Sequence, residues 1–432
     1  MFNDSLVAPQ LTTIKTTSFE LLEARFAERQ IDLENWFTEQ WKKSPAPFYG
    51  SVDLRNAGCK LAPVDMNLFP AGFNNLNPEF LEIAADAARA ALLKAVPHVK
   101  KILIIPENHT RNLFYWENVR AIMRILTTAQ FEVRVGSMLP DYPEPSTIEL
   151  SGGDQVIVQS LVRDDTHLRV GDFVPDAIIL NNDLSAGMPD ILNNLSQPVL
   201  PPPELGWNRR LKSEHFQHYT DVAREFAQVM DIDPWLIDPY FRHCGEVDFM
   251  RREGENCLTK NARELFADIR KKYAEYEITC DPFIVMKADA GTYGMAVMTV
   301  RDESELLSLN RKQRTGMAKT KSGQPVSRVI LQEGVYTFET WGADQAVAEP
   351  VVYLCGERVI GGFYRVHQSR GRDENLNAPG MQFEPLPFVC PCHLTDTTNA
   401  PNAECQNRFY VYGVIARLSM LAAAREIQEQ QQ

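Results

Sequence analysis

PFIVMKADAGTYGMAVMTV, residues 282 to 300, places an apolar run ahead of Lys287, then a small-residue loop from Ala288 to Gly294, then a second apolar run. A lysine at a strand end beside a glycine loop brings an ammonium and several backbone N–H groups to one spot, which suits a polyphosphate. The same letters also describe an ordinary β-hairpin with glycine in its turn. Neither GxxxxGK[ST] nor GxGxxG occurs in the chain, so the two common phosphate-binding glycine loops are excluded.

Downstream segments add to the cradle in a fixed order. RVILQEGV (328–335) reads as a strand running into Gln332 and Glu333, whose edge can offer backbone groups and a carboxylate to an adenine and its ribose. VVYLCGERVIGGFYRVH (351–367) reads as a hairpin turning at Cys355 to Glu357 and delivering Arg365 and His367. RGRDENLNAPG (370–380) then crowds arginines, acids and asparagines into a loop bounded by glycine and proline.

Upstream, apolar residues at three- and four-residue spacing predict helix over 18–43, 79–96 and 114–128. Residues 48–76, dense in Gly, Pro and Asn, read as a loop-like block. KKILIIP, FEVRVGS and DAIILNN predict strands alternating with those helices, hence an α/β layer with a mainly parallel sheet. Ligands sit beyond the carboxyl ends of such strands, here the polar loops after Ile105 and Leu180. Prolines from 198 to 203 mark a boundary, helix is expected over 211–275 with breaks at Pro234 and Pro239, and VYGVIARLSMLAAAREIQEQ closes the chain as a helix.

Lysine strand, Gln-Glu strand, arginine hairpin and Asn-Leu loop, in that order, resemble the ATP-grasp superfamily, in which two lobes hold ATP between them. The whole chain, through VDLRNAGCKLAPVDMNLFPAGFNNL, ILIIPENHTRN, LPPPELGWNRR, VMKADAGTYGM and GRDENLNAPGMQF, resembles the glutamate-cysteine ligases of some proteobacteria. The fold class implied is α/β and α+β. An N-terminal α/β, preATP-like layer spans 1–204; an ATP-grasp-like domain follows, helix-rich over 205–280 and a β-rich nucleotide-binding lobe with a C-terminal helix over 281–432. The implied reaction is ATP-dependent ligation of the γ-carboxylate of glutamate to cysteine through an acyl phosphate, the first step of glutathione synthesis. ATP and Mg²⁺ are the implied cofactors.

Transferred phosphoryl charge calls for fixed cations, and Lys287, Arg365, Arg370 and Arg372 are the catalytic candidates. The resemblance assigns ATP binding to Lys212, Lys287, Gly291, Gly294, Gln332 and Glu333. After residue 380 the chain lacks the superfamily's late acid and Glu-x-Asn pattern. Metal ligation is therefore placed on Asp373, Glu374, Asn375 and Asn377, with Glu333 as an alternative, because hard cations take carboxylate and amide oxygens. For the amino-acid substrates, Arg55 is the candidate for an α-carboxylate through its bidentate fork; Asp53, Lys60, Asn74, Asn108 and Asn182 complete the set. The acid-free segment 311–328 is either a solvated loop or a basic lid over ATP.

The chain has 432 residues with 44 basic and 57 acidic side chains, a net charge of −13. About 150 residues per domain gives roughly three units. The acidic balance argues against nucleic-acid partners. No apolar run of membrane-spanning length and no signal-peptide pattern is present, so a cytoplasmic protein with small-molecule partners is expected; homo-oligomer formation stays open. Eight scattered cysteines suit reduced thiols. Two rival readings are a peptide or D-amino-acid ligase on the same fold and, in another class, a zinc-binding module using Cys390, Cys392, His393 and Cys405, although Cys-Pro-Cys is one residue short of the usual spacing.

Overall fold

The computed structural model describes residues 11–12, 17–108, 112–291, 296–319, 323, 325–386 and 408–430. Three large sheets organise them, with a fourth of two short strands, Val162–Asp164 and His167–Arg169. A six-stranded sheet runs in the order Val199–Leu200, Ala177–Asn181, Lys101–Pro106, Glu132–Ser137, Gln155–Ser160, Ser146–Glu149. All neighbours are parallel except the last pair. Its central strands, ILII and AIIL, are wholly buried, as strands covered on both faces must be. Helices Leu81–Ala95 and Leu113–Thr128 fall where periodicity places them, and the 18–43 pattern becomes two helices, Thr17–Glu28 and Gln30–Lys43.

The second sheet has seven strands. Ala346–Cys355 and Arg358–His367 form its long hairpin, flanked by Gln382–Pro385 on one side. On the other side lie Glu339–Trp341, extended by Leu11–Thr12, and Tyr49–Asn56, which pairs in turn with Leu61–Asn67. The loop-like block expected over 48–76 is thus corrected: its first twenty residues are a β-hairpin. Val52 and Leu54 alternate with Asp53 and Arg55 as a strand with one packed face requires, but Pro63, the Gly and Asn residues around the turn and a bulge at Asp53/Leu54 hide that period in the sequence. Strands on both sides of the boundary expected near 204 share this sheet.

The third sheet, Phe241–Cys244, Val329–Glu333, Ile284–Ala288 and Val297–Val300, is antiparallel throughout, with helix Glu255–Glu275 packed on it around a core of its own. The strand Phe241–Cys244 interrupts the stretch expected as helix over 211–275. Gly334, just past the end of Val329–Glu333, has no room for a side chain: a Cβ there would lie 2.2 Å from the ring of the buried Phe283. Gly334→Ala is expected to cost about 1–3 kcal/mol by overpacking, visible as a lower midpoint in urea; an unchanged midpoint would show that Phe283 yields freely.

The C-terminal helix, Arg408–Gln430, is apolar around most of its circumference and correspondingly buried, a pattern diagnostic of a core helix. It packs against helix Lys212–Met230 and beneath the long hairpin. Arg210 anchors it through Glu426 at 2.7 and 2.9 Å. No helix among the described residues is long and apolar enough to cross a membrane.

Candidate active site

A cleft of about 510 Å³ opens where the three sheets meet. The carboxyl ends of the parallel strands supply Glu107, Asn181 and Asp183. The seven-stranded sheet supplies Asp53, Arg55, Asp65, Glu349 and Arg365. The antiparallel sheet supplies Lys287, Gln332 and Glu333.

At the floor, Asp53 and Asp65 stand opposite each other in the register of their hairpin. Arg365 reaches Asp53 at 2.9 Å and Glu349 at 2.6 Å, and Arg55 Nε donates to the other oxygen of Glu349 at 2.8 Å. Burial alone would neutralise Glu349, yet Arg55 and Arg365 hold its carboxyl below the usual range. Burial raises Asp53 despite Arg365. Arg365 has burial working against its charge, but Asp53 and Glu349 overcome it and lift it above an ordinary arginine. The remaining guanidinium nitrogens of Arg55 reach the carbonyls of Val335, at 3.3 Å, and of Glu374. Arg55, expected as a carboxylate clamp, therefore lines the cleft with every nitrogen committed to the protein.

Lys287 sits at the strand end as its sequence implies, donating to the Val64 carbonyl at 2.7 Å and to Gln332 Oε1 at 2.8 Å. Burial pulls it down to about 8, against the pull of Asp65 and with the help of Lys212 and Arg55. Lys212 opens helix Lys212–Met230, holds both oxygens of Asp65 at 2.7 and 3.0 Å, and lies 4.1 Å from the ring centre of Trp207. Gly291 lines the cleft; Gly294 is outside the described residues. Four cations, Arg55, Arg365, Lys212 and Lys287, thus meet three carboxylates, Asp53, Asp65 and Glu349, while Glu107, Asp183, Glu333 and Asp373 also line the cleft, so acids outnumber bases in its wall by seven to four. Among the described residues, three buried polar atoms of the cleft lining have no hydrogen-bond partner: Gln332 Nε2, Arg365 Nε and Asn74 Oδ1. An orphaned buried donor or acceptor is costly, and a ligand is one thing that satisfies it.

Other expected residues lie elsewhere. Glu333 lines the cleft but accepts from Lys60 at 2.7 Å, Trp235 Nε1 at 3.1 Å and the Tyr240 N–H at 3.0 Å, so both oxygens are engaged. Lys60, behind it, is outside the cleft lining, its ammonium 4.3 Å from the ring centre of Trp235. Asn182 is buried and tied to the Pro106 carbonyl and the Leu184 N–H, and Asn108 is exposed; neither lines the cleft. Arg370 pairs with Glu374 at 3.2 Å and Arg372 lies 5.2 Å from the ring centre of Phe338, both also outside the lining.

Of the four residues expected to bind metal, Asp373, Asn375 and Asn377 line the cleft. Asp373 is bonded to Arg301, and the Asn375 amide oxygen accepts from the Asn377 N–H at 2.9 Å. Glu374 is held by the Gly371 N–H at 2.6 Å, the main cause of its lowered pKa, and by Arg370. Among the described residues no three His, Cys, Asp or Glu side chains converge on a cation site. The oxygen donors of Asp373, Asn375 and Asn377 are of the hard kind that divalent cations take. In the basic segment, Arg311–Met317 is a short helix. Cys390, Cys392, His393 and Cys405 lie outside the described residues.

Two important residues escaped the sequence reading. Glu349 carries a signal, a lone acid inside the apolar strand AVAEPVVYLC; Trp207, which packs on Lys212, carries none.

Comparison with known proteins follows from residues 23–427, which match the family model described as glutamate-cysteine ligase. The crystal structure of a protein provisionally assigned as a γ-glutamylcysteine synthetase, from Methylobacillus flagellatus KT, is 52% identical; the alignment covers 98% of this chain and 99% of that one, with a TM-score of 0.88. A glutathione synthetase-like effector from Globodera pallida aligns at 11% identity and a TM-score of 0.40, covering 83% of each chain. D-alanyl-alanine synthetase A from Vibrio cholerae aligns at 11% identity and a TM-score of 0.27, covering 54% of this chain and 60% of that one. No curated protein matches.

Proposed function

Because the chain belongs to the glutamate-cysteine ligase family, we propose that the three-sheet cleft is where it joins glutamate to cysteine at the expense of ATP. The enzyme is an ATP-dependent carbon–nitrogen ligase of that family; the assignment of roles to residues is our reading. The observation that carries it is the set of unpartnered buried atoms, Gln332 Nε2, Arg365 Nε and Asn74 Oδ1, beside the cations Lys212, Lys287 and Arg365. Two donors and one acceptor are what a phosphate, a carboxylate and an ammonium require.

In this reading the lobe built on the third sheet is ATP-grasp-like. Lys287 and the Gln332 amide hold phosphate oxygens, with Gly291 at the turn and the apolar Val285, Val297 and Val335 as walls for the nucleotide. Arg365, braced by Glu349 and Asp53, stabilises charge on the γ-carboxylate of glutamate as it takes the phosphoryl group. Lys212, Asp65 and Asp53 line the floor between lysine strand and hairpin. Asn74 Oδ1 accepts from a substrate ammonium. The amine of cysteine then attacks the acyl phosphate: the C–N bond forms, the C–O bond to phosphate breaks, and the amine proton leaves with solvent or phosphate. Asp373, with Asn375 and Asn377 beside it, would hold Mg²⁺, which supplies neutralisation of phosphate charge. A cytoplasmic location fits the free thiols and the need for ATP.

Phosphate release from ATP and Mg²⁺, measured with glutamate plus each of several amines, tests the reading. Release is expected with glutamate and cysteine together and only at background with either alone. Release that requires a different pair would refute the substrate assignment. The two rival readings, a peptide ligase and a zinc-binding module, gain no support from the family match.

A further inference from the structure

Away from the cleft, Cys244 ends the edge strand Phe241–Cys244 and Cys257 lies in the first turn of the helix packed across that sheet, Glu255–Glu275. Their sulfurs are 3.0 Å apart. Asn261, one helical turn beyond Cys257, points its amide at both, 3.0 Å from Cys244 Sγ and 3.4 Å from Cys257 Sγ. Cys244 is buried and Cys257 exposed. Two thiols 3.0 Å apart, one open to solvent and one behind it, with one amide group aimed at both sulfurs, form an arrangement none of the ligase chemistry uses.

We propose that Cys257 and Cys244 form a redox modification site at which a hydroperoxide oxidises the exposed thiol and the buried one resolves it into an intrachain disulfide. The Cys257 thiol gives up its proton and its sulfur attacks the peroxide: an S–O bond forms, the O–O bond breaks, and the departing hydroxide takes up that proton as water. The Cys244 sulfur then attacks the sulfenic acid: the S–S bond forms, the S–O bond breaks, and a second water leaves with the remaining thiol proton. Two thiols lose two electrons and two protons, and one hydrogen peroxide becomes two waters. The sulfurs need to close by only about 1 Å to reach disulfide length. Burial, aided by Cys257, pushes the Cys244 thiol up to about 12, which keeps it from being the first sulfur oxidised. The bond would staple the edge strand to the helix in the lobe that carries Lys287 and Gln332.

The test treats the full-length native protein with hydrogen peroxide, caps remaining thiols and maps peptides by mass spectrometry. A linked Cys244–Cys257 peptide is expected, lighter than its parts by two hydrogens and lost on treatment with dithiothreitol. Cys257→Ser should abolish the link and leave Cys244 reduced, whereas Cys244→Ser should leave Cys257 as a sulfenic acid trapped by dimedone. Cys257 passing to the sulfinic acid while Cys244 still takes the cap would overturn the proposal, as would peroxide consuming the other cysteines and sparing this pair.

Discussion

Lys287→Met is expected to lower ATP-dependent phosphate release with glutamate and cysteine by on the order of 10²–10³-fold, the loss seen when one preorganised donor at a developing anion is removed. The ammonium sits at the cleft end of its strand, oriented by Gln332 and the Val64 carbonyl, and a methionine keeps the volume while removing the charge. The fold should survive, because removing a buried charge that lacks a carboxylate at bonding distance relieves desolvation. A sign follows for pH. With Lys287 at about 8 in the free protein, its ammonium is charged below that value and increasingly neutral above it. The ratio kcat/KM for ATP, which reports the free enzyme, should therefore fall as pH rises through about 8. Lys287→Arg, charged throughout, should lack that descending limb whatever its absolute rate. A wild-type profile flat from pH 7 to 9 would show that the cation is not needed.

Glu349→Ala is expected to be the most destabilising single change in the cleft. The carboxylate is buried and neutralises two buried guanidiniums, Arg55 at 2.8 Å and Arg365 at 2.6 Å. Breaking a buried ion pair by deleting one partner costs about 3–5 kcal/mol, since the other charge is left without compensation. Here Asp53 still meets Arg365, but Arg55 keeps only backbone carbonyls. The lowered pKa of Glu349 sets the sign for acid: its contribution is fully present above the ordinary glutamate value and is lost as pH falls through the lower folded value. Denaturant titration of wild type and Glu349→Ala at neutral pH measures the difference. A loss below about 1 kcal/mol would mean that water reaches the arginines and the network is not closed. In the fraction that folds, activity should also fall, because Arg365 loses one of the two acids that aim it.

Local pattern carried much of the architecture. Helical periodicity located helices at 81–95 and 113–128, and continuous apolar runs located the parallel strands at 102–105 and 177–180, because each of these elements buries a face that its own spacing reveals. The hairpin at 49–67 was opaque for another reason: Pro63, the Gly and Asn residues about its turn and a bulge at Asp53/Leu54 break the period, and residues 49–53 are held in the sheet by 351–355, some three hundred residues away. In the site the same division holds. Lys287, Gln332 and Arg365 stood at strand ends or on a legible hairpin and do line the cleft; Lys60, Asn182 and Arg370 were plausible by type alone, and burial and pairing place them beside it.

The order of the lysine strand, the Gln-Glu strand and the arginine hairpin, together with the apolar C-terminal helix, was determined by the sequence itself, since backbone period and loop chemistry act over a few residues. What only the tertiary structure decided was which charges meet. Glu349 with Arg55 and Arg365, Lys212 with Asp65, and Lys60 with Glu333 are pairs separated by at least 147 positions for all but the Glu349–Arg365 contact across its own hairpin. Coulombic partnership depends on distance through space and on burial, and neither is written in the spacing of residues along the chain.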